Sequence, residues 1–328
     1  MPTTYRAWQC DQVTDDVSGL RLREVQRAAV GPRDVRIAVH AAGVNFPDRL
    51  MAQGNYQHRP PLPFVPGLEG AGEILEAGRS AGPWRPGDRV CFQERLGAFA
   101  EEIVLPVESV RPIPQGLSMD EAACFTVTAM TAWVALVVRA RLEEGETLLV
   151  HGARGGVGQA CVQLGRHLGA QVIASASRPE SLSALAAAGV KVVDASGSFR
   201  GEVMALTHQR GADVIADPVG GDVFDESVRC IAWGGRLLVL GFASGRIPSL
   251  AANRALLKGF SLMGVRAGEY ARRDPAAGRD AREGIDRLAF EGVMRPTIGL
   301  RVPFERAPEA LLALDQRAFT GKIVIAVR

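Results

Sequence analysis

A glycine-rich turn set between an apolar run and an apolar-periodic segment carries the clearest chemistry in this chain of 328 residues. Leu148-Leu149-Val150 leads through His151 into Gly152-Ala153-Arg154-Gly155-Gly156-Val157-Gly158, and apolar periodicity then continues to Leu168. Strand, glycine turn and helix in that order are what a pyrophosphate requires. Glycine lets the backbone approach the phosphates, and the helix N-terminus offers free N–H groups at the positive end of its dipole. Gly152, Ala153, Gly155, Gly156, Val157 and Gly158 are therefore expected to cradle a dinucleotide, because the glycines stand in the context that gives such a motif its meaning.

The segment after the next apolar run indicates which dinucleotide. Gln171–Ser175 reads as a strand, and its end continues Ser175-Ala176-Ser177-Arg178-Pro179-Glu180. An NAD site carries an acidic residue about 20 residues beyond the glycines, bonded to the ribose 2′-hydroxyl. No carboxylate stands at this strand end, whereas Ser175, Ser177 and Arg178 do, a set suited to a 2′-phosphate. The expected cofactor is NADP(H). The competing reading makes Arg178 a solvated loop charge and Pro179-Glu180 the start of the next helix. Further on, Gly241-Phe242-Ala243-Ser244 follows another apolar strand, so it falls at the carboxyl edge where open α/β sheets bind ligands. Backbone there is expected to meet the nicotinamide, with Phe242 covering it.

These residues need a scaffold, and the texture of the chain supplies one. To about residue 122 it is rich in short alternating strands (Val35–Val39, Asp88–Phe92, Glu102–Leu105) separated by turns such as Arg85-Pro86-Gly87-Asp88. A long helix is expected over Met119–Arg139. Strands then alternate with helices, at Thr147–Val150, Val172–Ser175, Lys191–Asp194, Asp213–Ala216, Gly235–Gly241 and Phe260–Gly264. That alternation predicts a doubly wound parallel sheet. Helices are expected over Asp274–Glu291 and Pro308–Arg317, and a last strand over Lys322–Val327 returns to the first domain. The predicted organisation is α/β: a Rossmann-type domain over 123–264, and a β-rich, partly barrel-like domain over 1–122 and 265–328.

Composition narrows the function. Hydrophobic residues make up 47% and charged residues 23%, with a net charge of +2. That is ordinary for a globular protein, and without a basic run interleaved with aromatics nothing points to nucleic acid. No apolar stretch reaches the roughly 18 residues of a membrane span. The N-terminus lacks the apolar core of a signal peptide, so a cytoplasmic location is expected. Cys10, Cys91, Cys124, Cys161 and Cys230 are widely spaced and odd in number, and the histidines form no metal-binding pair. Free buried thiols and no zinc site are expected.

Along nearly its whole length the chain resembles the medium-chain dehydrogenase/reductase superfamily, and within it the zinc-free quinone oxidoreductases related to zeta-crystallin. The resemblance rests on Gly43-Val44-Asn45-Phe46-Pro47-Asp48, Gln53-Gly54-Asn55-Tyr56 and Pro61–Gly72. It continues through Trp84–Val90, the Ala153–Gly158 turn, Asp217-Pro218-Val219-Gly220-Gly221 and Thr320-Gly321-Lys322-Ile323-Val324. It implies that the β-rich domain is GroES-like. The zinc-dependent alcohol dehydrogenases of the same superfamily place a cysteine where Asn45 stands and a His-Glu pair where this chain reads Leu68-Glu69. The lobe holding their structural zinc would follow Phe92, where only Gln93–Phe99 remains.

Without a Lewis acid, the expected substrate is already electrophilic: a quinone, an enone or a 2-enoyl thioester. The cofactor supplies the hydride, and the protein supplies orientation, exclusion of water and a polar group. Tyr56 and Asn45 are the candidates for that group. Tyr56 matches a tyrosine that donates a proton or hydrogen bond in the resembling enoyl-thioester reductases, and a phenol of ordinary pKa near 10 stays protonated at neutral pH. Its alternative is an aromatic lining the site. Asn45 suits a bond to the nicotinamide ribose or a substrate oxygen, or else to its own turn. Thr128 matches a family threonine near the nicotinamide, or is a plain helix residue, and Lys322 a lysine near the cofactor phosphates. Asp48 and Glu69 are expected in structural ion pairs, with Arg49 or a nearby arginine. Three functions stay open: quinone or enone reductase, enoyl-thioester (acyl-CoA) reductase, with Arg266, Arg272 and Arg273 as a basic patch, and an NADPH-binding crystallin-like protein with little turnover. The family also implies a homodimer, for which Phe260–Gly264 is the candidate edge strand.

Overall fold

The computed structural model describes residues 3–316 and 319–328. They divide into two units, Met1–Val127 with Arg295–Arg328, and Thr128–Met294.

The first unit is built on strands β1 (Thr4–Cys10), β2 (Leu20–Gln26), β3 (Asp34–Val44), β4 (Glu69–Ala77), β5 (Arg89–Gln93), β6 (Glu102–Pro106) and β7 (Val110–Pro112). The second holds β8 (Thr147–Val150), β9 (Gln171–Ala176), β10 (Lys191–Asp194), β11 (Ala212–Asp217), β12 (Ile231–Val239) and β13 (Ser261–Gly264). The chain then returns to the first unit with β14 (Ile298–Pro303) and β15 (Lys322–Ala326).

In the first unit, β14, β15, β3, β4, β5 and β7 lie side by side, with β6 also paired to β3. Strand β3 is nearly all buried because it has neighbours on both sides. It runs antiparallel to both β4 and β15, with Gly43 opposite Glu69 and Val44 opposite Ile323. The C-terminal end of β3 and the N-terminal ends of β4 and β15 therefore meet at one edge. That register alone brings together residues far apart in sequence. Phe92, Phe99 and Phe304 fill the core beneath.

In the second unit the sheet order is β10-β9-β8-β11-β12-β13, all parallel. The order reverses between β8 and β11, the switch point at which doubly wound sheets bind their ligands. Every residue of β8 is buried, as expected of a strand covered on both faces. The helix Gly156–His167 follows it and buries Ala160, Cys161 and Leu164.

The structure departs from the sequence reading in two places. Residues 265–294 belong with the second unit, so the return comes at Arg295 rather than Val265. The helix Pro275–Phe290 buries Ile285, Leu288 and Ala289, and its Gly284 abuts the Trp133 ring. The expected helix over Met119–Arg139 is broken into Met119–Ala123, Thr126–Trp133 and a wider turn over Val134–Arg139. Glu69 explains the break: its Oε2 accepts the Val127 N–H at 2.8 Å and so caps a new helix start. The late helix runs Ala307–Gln316, and its expected last residue, Arg317, lies outside the described residues.

Candidate functional site

In the second unit the glycine turn lies where the sequence places it, between β8 and its helix. The Gly155 N–H closes the turn on the Gly152 carbonyl at 2.9 Å, and Gly155 caps the helix. A Cβ at Gly158 would lie 2.3 Å from the Gly152 oxygen, so only glycine lets the helix pack this tightly on the turn. The N–H groups of the first helical turn have no intrahelical acceptor and are left for a ligand. The Ala153 N–H donates to the Ser175 carbonyl at 3.0 Å, which ties the turn to β9.

Ser175 itself lies under the turn, fully buried. Its hydroxyl meets His151 Nδ1 at 2.6 Å, while His151 Nε2 meets the Ser227 hydroxyl at 2.8 Å. Ser227 donates its own proton to the Val223 carbonyl at 2.7 Å. It can therefore only accept from Nε2–H, leaving Nδ1 to accept from Ser175. Burial holds the imidazole neutral, pushing its pKa down to about 3. Sequence reasoning missed this lock. Its one signal is a histidine interrupting an apolar strand just before the first glycine.

Ser177 and Arg178 stand exposed beyond the end of β9. On the other side of the switch point, buried Asp217 accepts the Val219 and Gly220 N–H groups at 2.8 and 2.9 Å. Burial raises its pKa, and these bonds partly offset the rise. The turn so held accepts the Ala243 N–H at the Pro218 carbonyl, 3.0 Å away, and the Ser244 N–H at the Val219 carbonyl, 2.9 Å away. A Cβ on Gly152 would touch the Val219 side chain at 3.4 Å. The glycine turn, the Asp217–Gly221 turn and Gly241-Phe242-Ala243 thus converge at the carboxyl edge of the sheet. Thr128 is buried in the helix Thr126–Trp133.

In the first unit the remaining candidates gather at the shared strand edge. Asn45 directly follows β3 and caps the helix Phe46–Ala52. Asp48 closes that cap by accepting the Asn45 N–H at 2.8 Å and also takes the Gly67 N–H at 3.2 Å. The Lys322 ammonium donates to the Val44 carbonyl at 3.0 Å, Asn45 Oδ1 at 2.5 Å and Glu69 Oε1 at 3.0 Å. Asn45 Nδ2 donates to Glu69 Oε1 at 3.0 Å and to the Gly43 carbonyl at 3.3 Å. All four side chains are buried. Burial lifts the Asp48 pKa to about 7, against the pull of its backbone donors and of Lys322.

Glu69 thus takes Lys322 as its cation rather than an arginine, and Arg49 pairs with Asp315. The three N–H groups of Lys322 all point into this cluster. Tyr56 lies half-buried in the loop after the helix, packed against the core of the first unit. The arginines expected as a basic patch are occupied in part, since Arg272 and Arg273 both pair with Glu269.

Known proteins share this architecture. Residues 31–115 match the family model for the alcohol dehydrogenase GroES-like domain, and residues 156–280 that for zinc-binding dehydrogenase. Quinone oxidoreductase-like protein 2 of Rattus norvegicus is 36% identical over 327 residues, covering 99% of this chain and 93% of that protein. The quinone oxidoreductase of Pseudomonas syringae pv. Tomato DC3000 superposes with a TM-score of 0.88 at 26% identity, over 98% of this chain and all (100%) of that one. The CurK enoyl reductase does so with a TM-score of 0.89 at 25% identity, over 100% of both chains.

One of these models is described by zinc, and the residues present do not fit that metal. Among the described residues no group of three or more His, Cys, Asp or Glu side chains is placed to hold a metal ion. At the Asn45–Glu69 cluster an ammonium lies 3.0 Å from the carboxylate, where it would repel a second cation. The glycine turn, by contrast, fits a nicotinamide dinucleotide.

Proposed function

The chain belongs to the medium-chain dehydrogenase/reductase family, in its quinone oxidoreductase-like branch, and on that premise we propose that it reduces a quinone or another conjugated carbonyl with NADPH, independently of zinc. The observation that carries this reading is the Asn45–Glu69–Lys322 cluster, in which a side-chain ammonium takes up the acceptors at the strand edge. A simple alcohol or ketone needs its oxygen polarised strongly, whereas a quinone or enone spreads the developing charge over its own conjugated system.

Bound nicotinamide supplies the hydride. The turn Gly152–Gly158 holds the pyrophosphate on helix N–H groups, Ser177 and Arg178 meet the 2′-phosphate, and Gly241-Phe242-Ala243 flanks the nicotinamide. Thr128 borders the same ring. Tyr56 holds the proton that the reduced acceptor takes up. Replacing Tyr56 with Phe tests that role: kcat falls by about 10²–10⁴ while NADPH affinity stays unchanged. An unchanged kcat would leave Tyr56 as lining alone.

The second reading, reduction of a 2-enoyl thioester, is favoured by the likeness to the CurK enoyl reductase. The pairing of Arg272 and Arg273 with Glu269 weighs against it, because a nucleotide-bearing thioester would have to compete for those guanidiniums. As to assembly, β13 is the outer strand of its sheet. Exposed Leu262 on it, with exposed Trp233, Leu256 and Leu257 in the same unit, supports a homodimer formed along this edge.

A further inference from the structure

We propose that Asp217 is a positioning residue for the nicotinamide end of the cofactor and not for its adenosine end. It acts by holding the turn 218–221, from which Gly241-Phe242-Ala243 hangs. The inference rests on the cofactor reading above and deepens it.

Asp217 ends β11 and is only 1% exposed. One of its oxygens, Oδ1, accepts both the Val219 and the Gly220 N–H groups, at 2.8 and 2.9 Å. Pro218, just before them, has no N–H to offer a rival bond. The turn so closed carries Gly220 and Gly221 at φ of +69° and +58°, a conformation in which a side chain would be strained.

Residues 240–246 form neither strand nor helix, and they take their place from this turn. The Leu240 N–H donates to the Asp217 carbonyl at 2.9 Å, the Ala243 N–H to that of Pro218 at 3.0 Å and the Ser244 N–H to that of Val219 at 2.9 Å. In the other direction, the Gly221 N–H donates to the Arg246 carbonyl at 3.1 Å. Packing couples the two segments as well. A Cβ on Gly220 would lie 3.1 Å from the Phe242 ring, and one on Gly221 would lie 2.7 Å from Ser244 Oγ. Moving the turn therefore moves the segment. Arg246 reinforces the join by pairing with Asp222 and Asp225, but these groups are exposed and such pairs are worth little. The buried anchor is Asp217.

The pyrophosphate turn has separate supports. It is closed by the Gly155 N–H on the Gly152 carbonyl and tied to β9 by the Ala153 N–H. His151 anchors it further through Ser175 and Ser227. These bonds do not involve Asp217, so the two ends of the cofactor are held independently. The role of Asp217 requires an oxygen that accepts two N–H groups. Asparagine supplies that oxygen and alanine does not.

The test compares, by titration calorimetry, the affinities of NADPH and of 2′-phospho-ADP-ribose, the same dinucleotide without its nicotinamide. Wild-type protein is expected to bind NADPH the more tightly. In Asp217→Ala that preference falls about 10-fold, the size of one lost hydrogen bond, while 2′-phospho-ADP-ribose keeps its affinity within about twofold. Asp217→Asn retains the accepting oxygen and keeps the wild-type preference within about twofold. Gly221→Ala leaves Asp217 in place but pushes on Ser244, and it lowers the preference in the same direction. A loss of overall stability would move both ligands alike and leave their ratio unchanged. Equal losses for both ligands, an intact preference in Asp217→Ala, or Asp217→Asn as damaging as Asp217→Ala would each overturn the inference. Should Asp217→Ala fail to fold, an unchanged preference in Gly221→Ala overturns it alone. Equal affinity of wild-type protein for the two ligands would also overturn it, and would leave the cofactor reading standing. Failure of wild-type protein to bind NADPH or NADH at all would instead remove the cofactor reading, and the inference with it.

Discussion

Charge at single residues sets two outcomes. Arg178 is exposed at the end of β9 with Ser177 beside it, so Arg178→Ala should weaken NADPH binding about 10- to 100-fold, the range for a lost charge-assisted bond. NADH binding should change less than threefold. Equal losses for both would make Arg178 a general surface charge. Asp48 gives a pH dependence of known sign. Its native pKa of about 7 lies above the ordinary carboxyl value of 3.8, so the folded state holds this proton more tightly than the unfolded state. The resulting stability is full below pH 3.8 and is lost as pH rises to about 7, by up to about 1.4 kcal/mol per pH unit. Urea midpoints of wild type should thus fall relative to Asp48→Asn as pH rises from about 4 to about 7 and run parallel above that. A constant difference would mean that Asp48 is ionised throughout. These environments were not legible in the sequence: Asp48 and Glu69 read as ion-pair candidates, but their burial depends on Gly67 and on Lys322, 253 positions from Glu69.

Elements were legible where local pattern decides them. The strand–turn–helix at Leu148–Leu168 and the strands Thr147–Val150 and Lys191–Asp194 coincide with the structure because an apolar run bounded by glycine has few other solutions. The break at Cys124–Phe125 was hidden, since it follows from a cap supplied by Glu69 rather than from any helix breaker. Strand β14 also escaped notice, although Ile298, Leu300 and Val302 alternate with exposed neighbours and Val302 is buried. Ser175 was read as a ligand hydroxyl because it ends a strand, whereas the structure turns it onto His151. At the same scale, β13 carries the prediction for assembly. Leu262 is 44% exposed on an outer strand, and Leu262→Lys should shift a dimer to monomer in sedimentation velocity with the circular dichroism unchanged. A monomeric wild type at micromolar concentration would dismiss the edge as an interface.

For the whole molecule, the β-rich and doubly wound halves could both be read from periodicity, and the family from motifs spread along the chain. The second crossing could not. The helix Pro275–Phe290 is amphipathic, and amphipathicity states that a helix has a core to cover without stating whose. No helix among the described residues is long and apolar enough to cross a membrane. The central claim is that this fold passes hydride from NADPH to a conjugated acceptor without a metal. The most direct measurement follows the absorbance of NADPH with quinones, simple enones and short enoyl-CoA esters in parallel, after exhaustive dialysis against a chelator. The account predicts turnover of quinones or enones with NADPH preferred over NADH, little turnover of the thioesters, and no response to added zinc. Activity that vanishes on chelation and returns with zinc, or turnover confined to enoyl-CoA, would contradict it.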